Sequence, residues 1–163
     1  MGQGLICVYS GEGHGKSATA LGKAIETAGM GGDVVIINFL KSNRNDAFLK
    51  RLEPEIKMFR FEKSAEEFAQ LSEERKQDEI RNIRNGLNFA KKVLTTGECS
   101  LLILDEVLGL IDNGIIDIED LRHILEAKSD DVDIILTGIK LNDEVCQLAD
   151  EVFQIEPLNY KIY

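Results

Sequence analysis

Val8-Tyr9-Ser10-Gly11-Glu12-Gly13-His14-Gly15-Lys16-Ser17 decides how the rest of the chain is read. An apolar lead-in, Ile6 to Tyr9, reads as a short buried strand. Ala18 to Ile25 reads as a helix that begins near Lys16. A strand, a glycine-rich turn and Gly-Lys-Ser opening a helix make up a phosphate-binding P-loop. Gly11, Gly13 and Gly15 let backbone N–H groups turn inward together as an anion nest that a Cβ would obstruct. The helix N-terminus adds unpaired donors and the positive end of its dipole. Glu12, His14 and Ala18 complete the stretch that wraps the phosphates. Lys16 reaches the outer phosphates, and the Ser17 hydroxyl holds a magnesium or manganese ion. The strict pattern puts a glycine where Ser10 stands, so the first glycine, Gly11, comes one step late.

The chain has 163 residues, a length suited to one domain spanning 1–163. Its formal net charge of −10 argues against a nucleic-acid or acidic-membrane partner. An acidic protein can hold a polyphosphate only through local positive potential from amides, helix dipole, lysine and metal. Cys7, Cys99 and Cys146 are scattered, without disulfide or zinc spacing, which suits a reducing cytoplasm. The start lacks the basic and apolar regions of a signal peptide, and no apolar run approaches the ~18 residues of a membrane span. The expected location is cytoplasmic.

Glycines in the stretch Thr27–Asp33 are expected to stop the first helix. Val34 to Leu40 forms a continuous apolar strand, buried on both faces, with Lys41 at its carboxyl end facing the phosphates. A short helix over Asn45–Leu52 precedes Pro54, and Ile56–Phe61 roughly alternates as a strand. Ile80, Ile83, Leu87, Ala90 and Leu94 step by three and four, predicting a long helix from about Ser72 to Thr96. Leu101-Leu102-Ile103-Leu104-Asp105-Glu106 is a buried strand delivering two acids at its tip. Beside a P-loop, Asp105 and Glu106 can hold the metal, and Glu106 can act as base; in isolation they could as well cap the next helix. Helices are predicted over Asp117–Lys128 and Asn142–Ala149, and strands over Asp133–Gly138 and Val152–Ile155. Alternating strands and helices give an α/β, three-layer P-loop domain with a mainly parallel central sheet.

Jointly these stretches resemble the P-loop ATP:corrinoid (cob(I)alamin) adenosyltransferases, which implies a RecA-like fold for this domain. The resemblance is carried by Tyr9 to Ala20, by Ile37-Asn38-Phe39-Leu40-Lys41 against a family pattern of hydrophobic-Gln-Phe-Ile-Lys, by Leu104-Asp105-Glu106, by Thr137-Gly138 and by Leu148 to Val152. The late first glycine also belongs to that family. His14 stands for the family's loop lysine and Ile139 for the arginine after Thr-Gly. The segment Phe61–Leu71 lacks the family's Gly-Phe-Thr-Trp-type sequence, and both ends are shorter than the family's.

The resemblance implies that cobalt(I) of a corrinoid attacks the 5′ carbon of ATP and triphosphate leaves. No protein nucleophile is then needed. Lys16, the loop amides and a metal held by Ser17 with Asp105 or Glu106 would stabilise the departing charge, making Lys16 and Glu106 the catalytic candidates. The corrinoid would lie over the ribose in an apolar pocket near Phe59, Phe61 or Phe68. ATP and corrinoid are the implied small-molecule partners, with an electron-donor reductase and a homodimer. The competing readings are a P-loop ATPase or small-molecule kinase, and a non-catalytic ATP-sensing module. A GTPase is disfavoured, since no Asn-Lys-x-Asp guanine-reading sequence occurs.

Overall fold

The computed structural model describes residues 4–13, 15–39, 47–61 and 68–158. Six strands form one sheet: β1 Ile6–Ser10, β2 Val34–Asn38, β3 Ile56–Arg60, β4 Leu101–Asp105, β5 Asp133–Gly138 and β6 Glu151–Gln154. Their order is β3-β2-β4-β5-β1-β6, and every pairing is parallel. The chain runs outward from β1 through β2 to β3, then reverses through β4 and β5 and ends beyond β1 at β6. Right-handed crossovers in opposite directions put the connecting helices on opposite faces.

One face carries α1, Gly15–Gly29, beside a 3-10 turn over Ala47–Leu52. The other carries α2 Glu73–Thr96, α3 Val107–Asp112, α4 Ile118–Glu126 and α5 Asp143–Leu148. Side chains of the strands alternate between the two layers. Leu102, Leu104, Ile134 and Leu136 join the core under α2–α5, while Leu101, Ile103 and Ile135 join the smaller one under α1. Burial on both faces is why these strands read as continuous apolar runs. α1 turns Lys16, Ala20 and Ala24, spaced one turn apart, to the sheet. The alanines let the helix lie close and bring its N-terminus over the strand tips.

The long helix has the expected bounds, with Ser72 accepting from Arg75 N at its start and Gly97 at φ 68° closing it. Ile83, Leu87, Ala90 and Leu94 are buried, whereas Ile80 is only half-buried at the end of the stripe. α1 runs further than the glycines suggested, because Thr27, Ala28 and Gly29 remain helical. The stop is a Schellman motif at Gly31 (φ 91°), with Gly31 N donating to Ala28 O and Gly32 N to Thr27 O. α4 ends at Glu126, short of the expected Lys128, and β6 begins one residue before Val152. The sequence pattern gave no sign of α3, which follows directly on Glu106. β2 ends at Asn38, although Phe39 beyond it is fully buried. No helix among the described residues is long and apolar enough to cross a membrane.

Candidate functional site

The carboxyl ends of β1, β2, β4 and β5 lie side by side and carry Ser10, Asn38, Asp105 and Thr137. In an open parallel sheet this edge is where ligands bind, at the point where strand order reverses. The loop after β1 crosses it. Gly11 N donates to Gly138 O at 3.1 Å, and Ile155 N donates to Ser10 O at 2.7 Å, so the loop is fastened to β5 and to the segment after β6.

That second attachment accounts for the late glycine. A Cβ on Gly11 would stand 1.8 Å from the Ile155 carbonyl oxygen, and the residue sits at φ 145°. Ser10, in contrast, is buried in the strand with its hydroxyl toward Phe153 O at 3.5 Å. Position 11 demands glycine because the backbone of the segment after β6 crosses it, and position 10 does not. Gly13 takes φ 81°, with open space where a side chain would be. Glu12, Gly13, Gly15 and Ala18 are exposed along the loop and the first turn of α1, where their backbone can face an incoming anion. His14 and Lys41 lie outside the described residues.

Lys16 is 5% exposed, and its Nζ donates to Gly13 O at 3.0 Å and pairs with Glu106 Oε1 at 3.2 Å. A buried ammonium without partners would be costly, and these two oxygens supply the interactions that a phosphate would replace. Glu106 takes a left-handed conformation, φ 64°, at the start of α3. Its side chain makes no capping hydrogen bond to that helix and instead meets Lys16. Burial pushes the Glu106 carboxyl above the ordinary carboxylate range; the Lys16 ammonium opposes that rise and the neighbouring Asp105 charge adds to it.

Ser17 Oγ donates to Asp105 Oδ1 at 3.2 Å across 88 positions of sequence. The same Oδ1 accepts from Thr137 Oγ1 at 2.7 Å, and Oδ2 accepts from Asn38 Nδ2 at 2.8 Å. Glu106 N donates to Thr137 Oγ1 at 2.9 Å. Asn38 Oδ1 is buried with no hydrogen-bond partner among the described residues. Such an orphan acceptor costs about 1–3 kcal/mol until something donates to it.

A hydroxyl and a carboxylate within reach of each other are hard oxygen donors, suited to magnesium rather than to a soft metal. Among the described residues no group of three or more His, Cys, Asp or Glu side chains gathers to hold an ion. Two protein oxygens are too few for an octahedral ion, so phosphate oxygens and water would have to complete the shell.

The structure thus brings together Gly13, Lys16, Ser17, Asp105 and Glu106. Asn38 and Thr137 belong to the same cluster, and sequence reasoning gave neither a role. Their signal was a polar residue at the end of an apolar buried strand (Asn38) or one place before its end (Thr137), akin to the signal that marked Asp105. Phe59, Phe61 and Phe68 are half-buried and pack against the core beneath α2. Phe59 and Phe61 meet Phe89, with ring centroids 4.8 and 5.8 Å away, and Phe61 lies on Gly86 of α2.

Residues 2–162 match the family described as ATP:corrinoid adenosyltransferase BtuR/CobO/CobP. The chain is 25% identical over 158 residues to the corrinoid adenosyltransferase of Escherichia coli (strain K12), spanning 97% of this chain and 79% of that protein. It is likewise 25% identical to the corrinoid adenosyltransferase CobA of Salmonella typhimurium, again over 97% of this chain and 79% of the relative. Among solved structures, EssC (ATPases 2 and 3) from Geobacillus thermodenitrificans superposes with a TM-score of 0.50 at 17% identity. That likeness covers 93% of this chain but only 32% of EssC, and it speaks for the fold alone.

Proposed function

The chain belongs to the ATP:corrinoid adenosyltransferase family, and from that premise we propose that it moves the 5′-deoxyadenosyl group of ATP onto the cobalt(I) of a corrinoid, with release of triphosphate. A cobalt–carbon bond forms as the C5′–O bond breaks, and the bonding pair of that bond leaves with the triphosphate. The protein's part is to align the two substrates and stabilise charge on the leaving group. The observation that carries the nucleotide half is the Ser17–Asp105 pair at 3.2 Å beside the Lys16 ammonium. Ser17 and Asp105 would hold the magnesium ion, which when bound neutralises charge on the phosphate oxygens. Lys16 exchanges Glu106 for phosphate, and the loop amides around Gly13 take the rest. A reductase keeps the corrinoid as cobalt(I), and the corrinoid is cob(I)alamin or its precursor cob(I)yrinic acid diamide.

Incubation with ATP, magnesium and chemically reduced corrinoid tests this. The expected result is a light-sensitive visible spectrum of a cobalt–carbon bond, with one triphosphate per corrinoid consumed. ADP and phosphate without an alkylated corrinoid would instead mark an ATPase or kinase. Lys16→Ala should lower kcat/KM by about 10²–10³-fold in a chain that still folds by far-UV circular dichroism.

A further inference from the structure

Asp105 is gripped from both neighbouring strands. β2 and β5 flank β4, and each carries a polar side chain at its carboxyl end, Asn38 as the last residue of β2 and Thr137 as the last but one of β5, exposed by only 3% and 0%. Asn38 fastens one carboxylate oxygen and Thr137 the other, at 2.8 and 2.7 Å. Thr137 Oγ1 also receives the Glu106 N–H, so one hydroxyl ties both acids to β5. Two donors on opposite oxygens fix the plane of the Asp105 carboxylate, leaving Ser17 Oγ to approach Oδ1 from the P-loop side.

Asn38 contributes a second observation. A carboxylate accepts hydrogen bonds, so the contact with Asp105 sets which end of the amide is Nδ2. Its Oδ1 is then a buried acceptor with nothing donating to it among the described residues. The complement to a bare acceptor at a strand tip is a donor that comes with the ligand. Magnesium keeps several of its waters when it binds with phosphate, and each such water is a donor.

We propose that Asn38 and Thr137 are positioning residues that orient Asp105 toward a divalent cation arriving with ATP, and that Asn38 Oδ1 accepts from that cation's water. The proposal rests on the nucleotide half of the function above and is independent of the corrinoid half. An ion held by only two protein oxygens depends on their orientation. Removing such a supporting hydrogen bond commonly costs 10–100-fold in metal affinity.

The test uses the β,γ-imido analogue of ATP in isothermal titration, once with magnesium and once with EDTA. The ratio of the two affinities is the gain due to the metal. Thr137→Val and Asn38→Leu, both close in shape to the originals, should cut that gain about 10–100-fold and leave affinity in EDTA at the wild-type value. Thr137→Ser should restore it, because the hydroxyl is what acts. A merely structural role would move both affinities together, so equal losses with and without magnesium overturn the proposal. So does an unchanged gain in the variants, or no gain in the wild type. Should either near-isostere fail to fold in a thermal melt, Thr137→Ala and Asn38→Ser give the same ratio. A chain that fails to alkylate corrinoid but shows these ratios refutes the corrinoid reading and keeps this one.

Discussion

At Gly11, a backbone crossing decides the residue type. With Ile155 O 1.8 Å from where its Cβ would be, Gly11→Ala must push the P-loop away from the segment after β6. At φ 145° the alanine is strained as well. We expect a loss of about 1–3 kcal/mol in urea unfolding, with weaker ATP binding in the same protein. The same substitution at Ser10 would disturb little backbone, since that residue is ordinary strand. The thiols give a pH-dependent case. Burial pushes Cys7 and Cys99 up to about 11, aided by Glu151 at the first and Glu98 at the second. A raised thiol gains its reactive thiolate only as pH climbs toward that value, so at pH 8 about a thousandth of each is ionised. Both should resist iodoacetamide at pH 8 and react progressively faster toward pH 10, which mass mapping of the alkylated sites would show.

Among elements, the helices show how much of a boundary is local chemistry. Ser72, Asp117 and Asn142 each cap the helix they were expected to start, through hydrogen bonds to N–H groups in the first turn. α4 has a full capping box, Asp117 to Asp120 N and Asp120 back to Asp117 N, at 2.9 and 3.1 Å. For a helix of only 9 residues this matters. Asp117→Ala removes the cap's acceptor and should cost about 1 kcal/mol, read as a lowered urea midpoint with an unchanged slope. C-termini were less legible. A glycine between Thr27 and Asp33 does stop α1, but which one is set by the Schellman motif: Gly31 is the left-handed residue because it and Gly32 close back on Ala28 and Thr27. α3 was hidden because its apolar run, Val107 to Ile111, continues the strand's hydrophobic character. Only the left-handed turn at Glu106 separates the two.

For the whole molecule, the site joins residues contributed by every strand of the sheet's middle, so its occupation should report on global stability. A ligand that binds only the folded state adds about 2.7 kcal/mol at a hundredfold excess over its Kd. For a domain of this size that raises the unfolding midpoint by about 5–10 °C. ATP with magnesium should produce this shift in the wild type and little of it in Lys16→Ala, as followed by differential scanning calorimetry. The sequence by itself determined the P-loop, the acid-tipped strand, the starts of α1, α2, α4 and α5 and the family, because each of these is written in neighbouring residues. Strand order was decided only in three dimensions: hydrogen-bonding partners in a parallel sheet are distant in sequence, and apolar periodicity tells which faces are buried without telling which strands are neighbours. That order placed β5 between the P-loop strand and the acidic strand and β2 on the acid's other side. It thereby brought Thr137 and Asn38 to the two oxygens of Asp105, a convergence that no local pattern encodes.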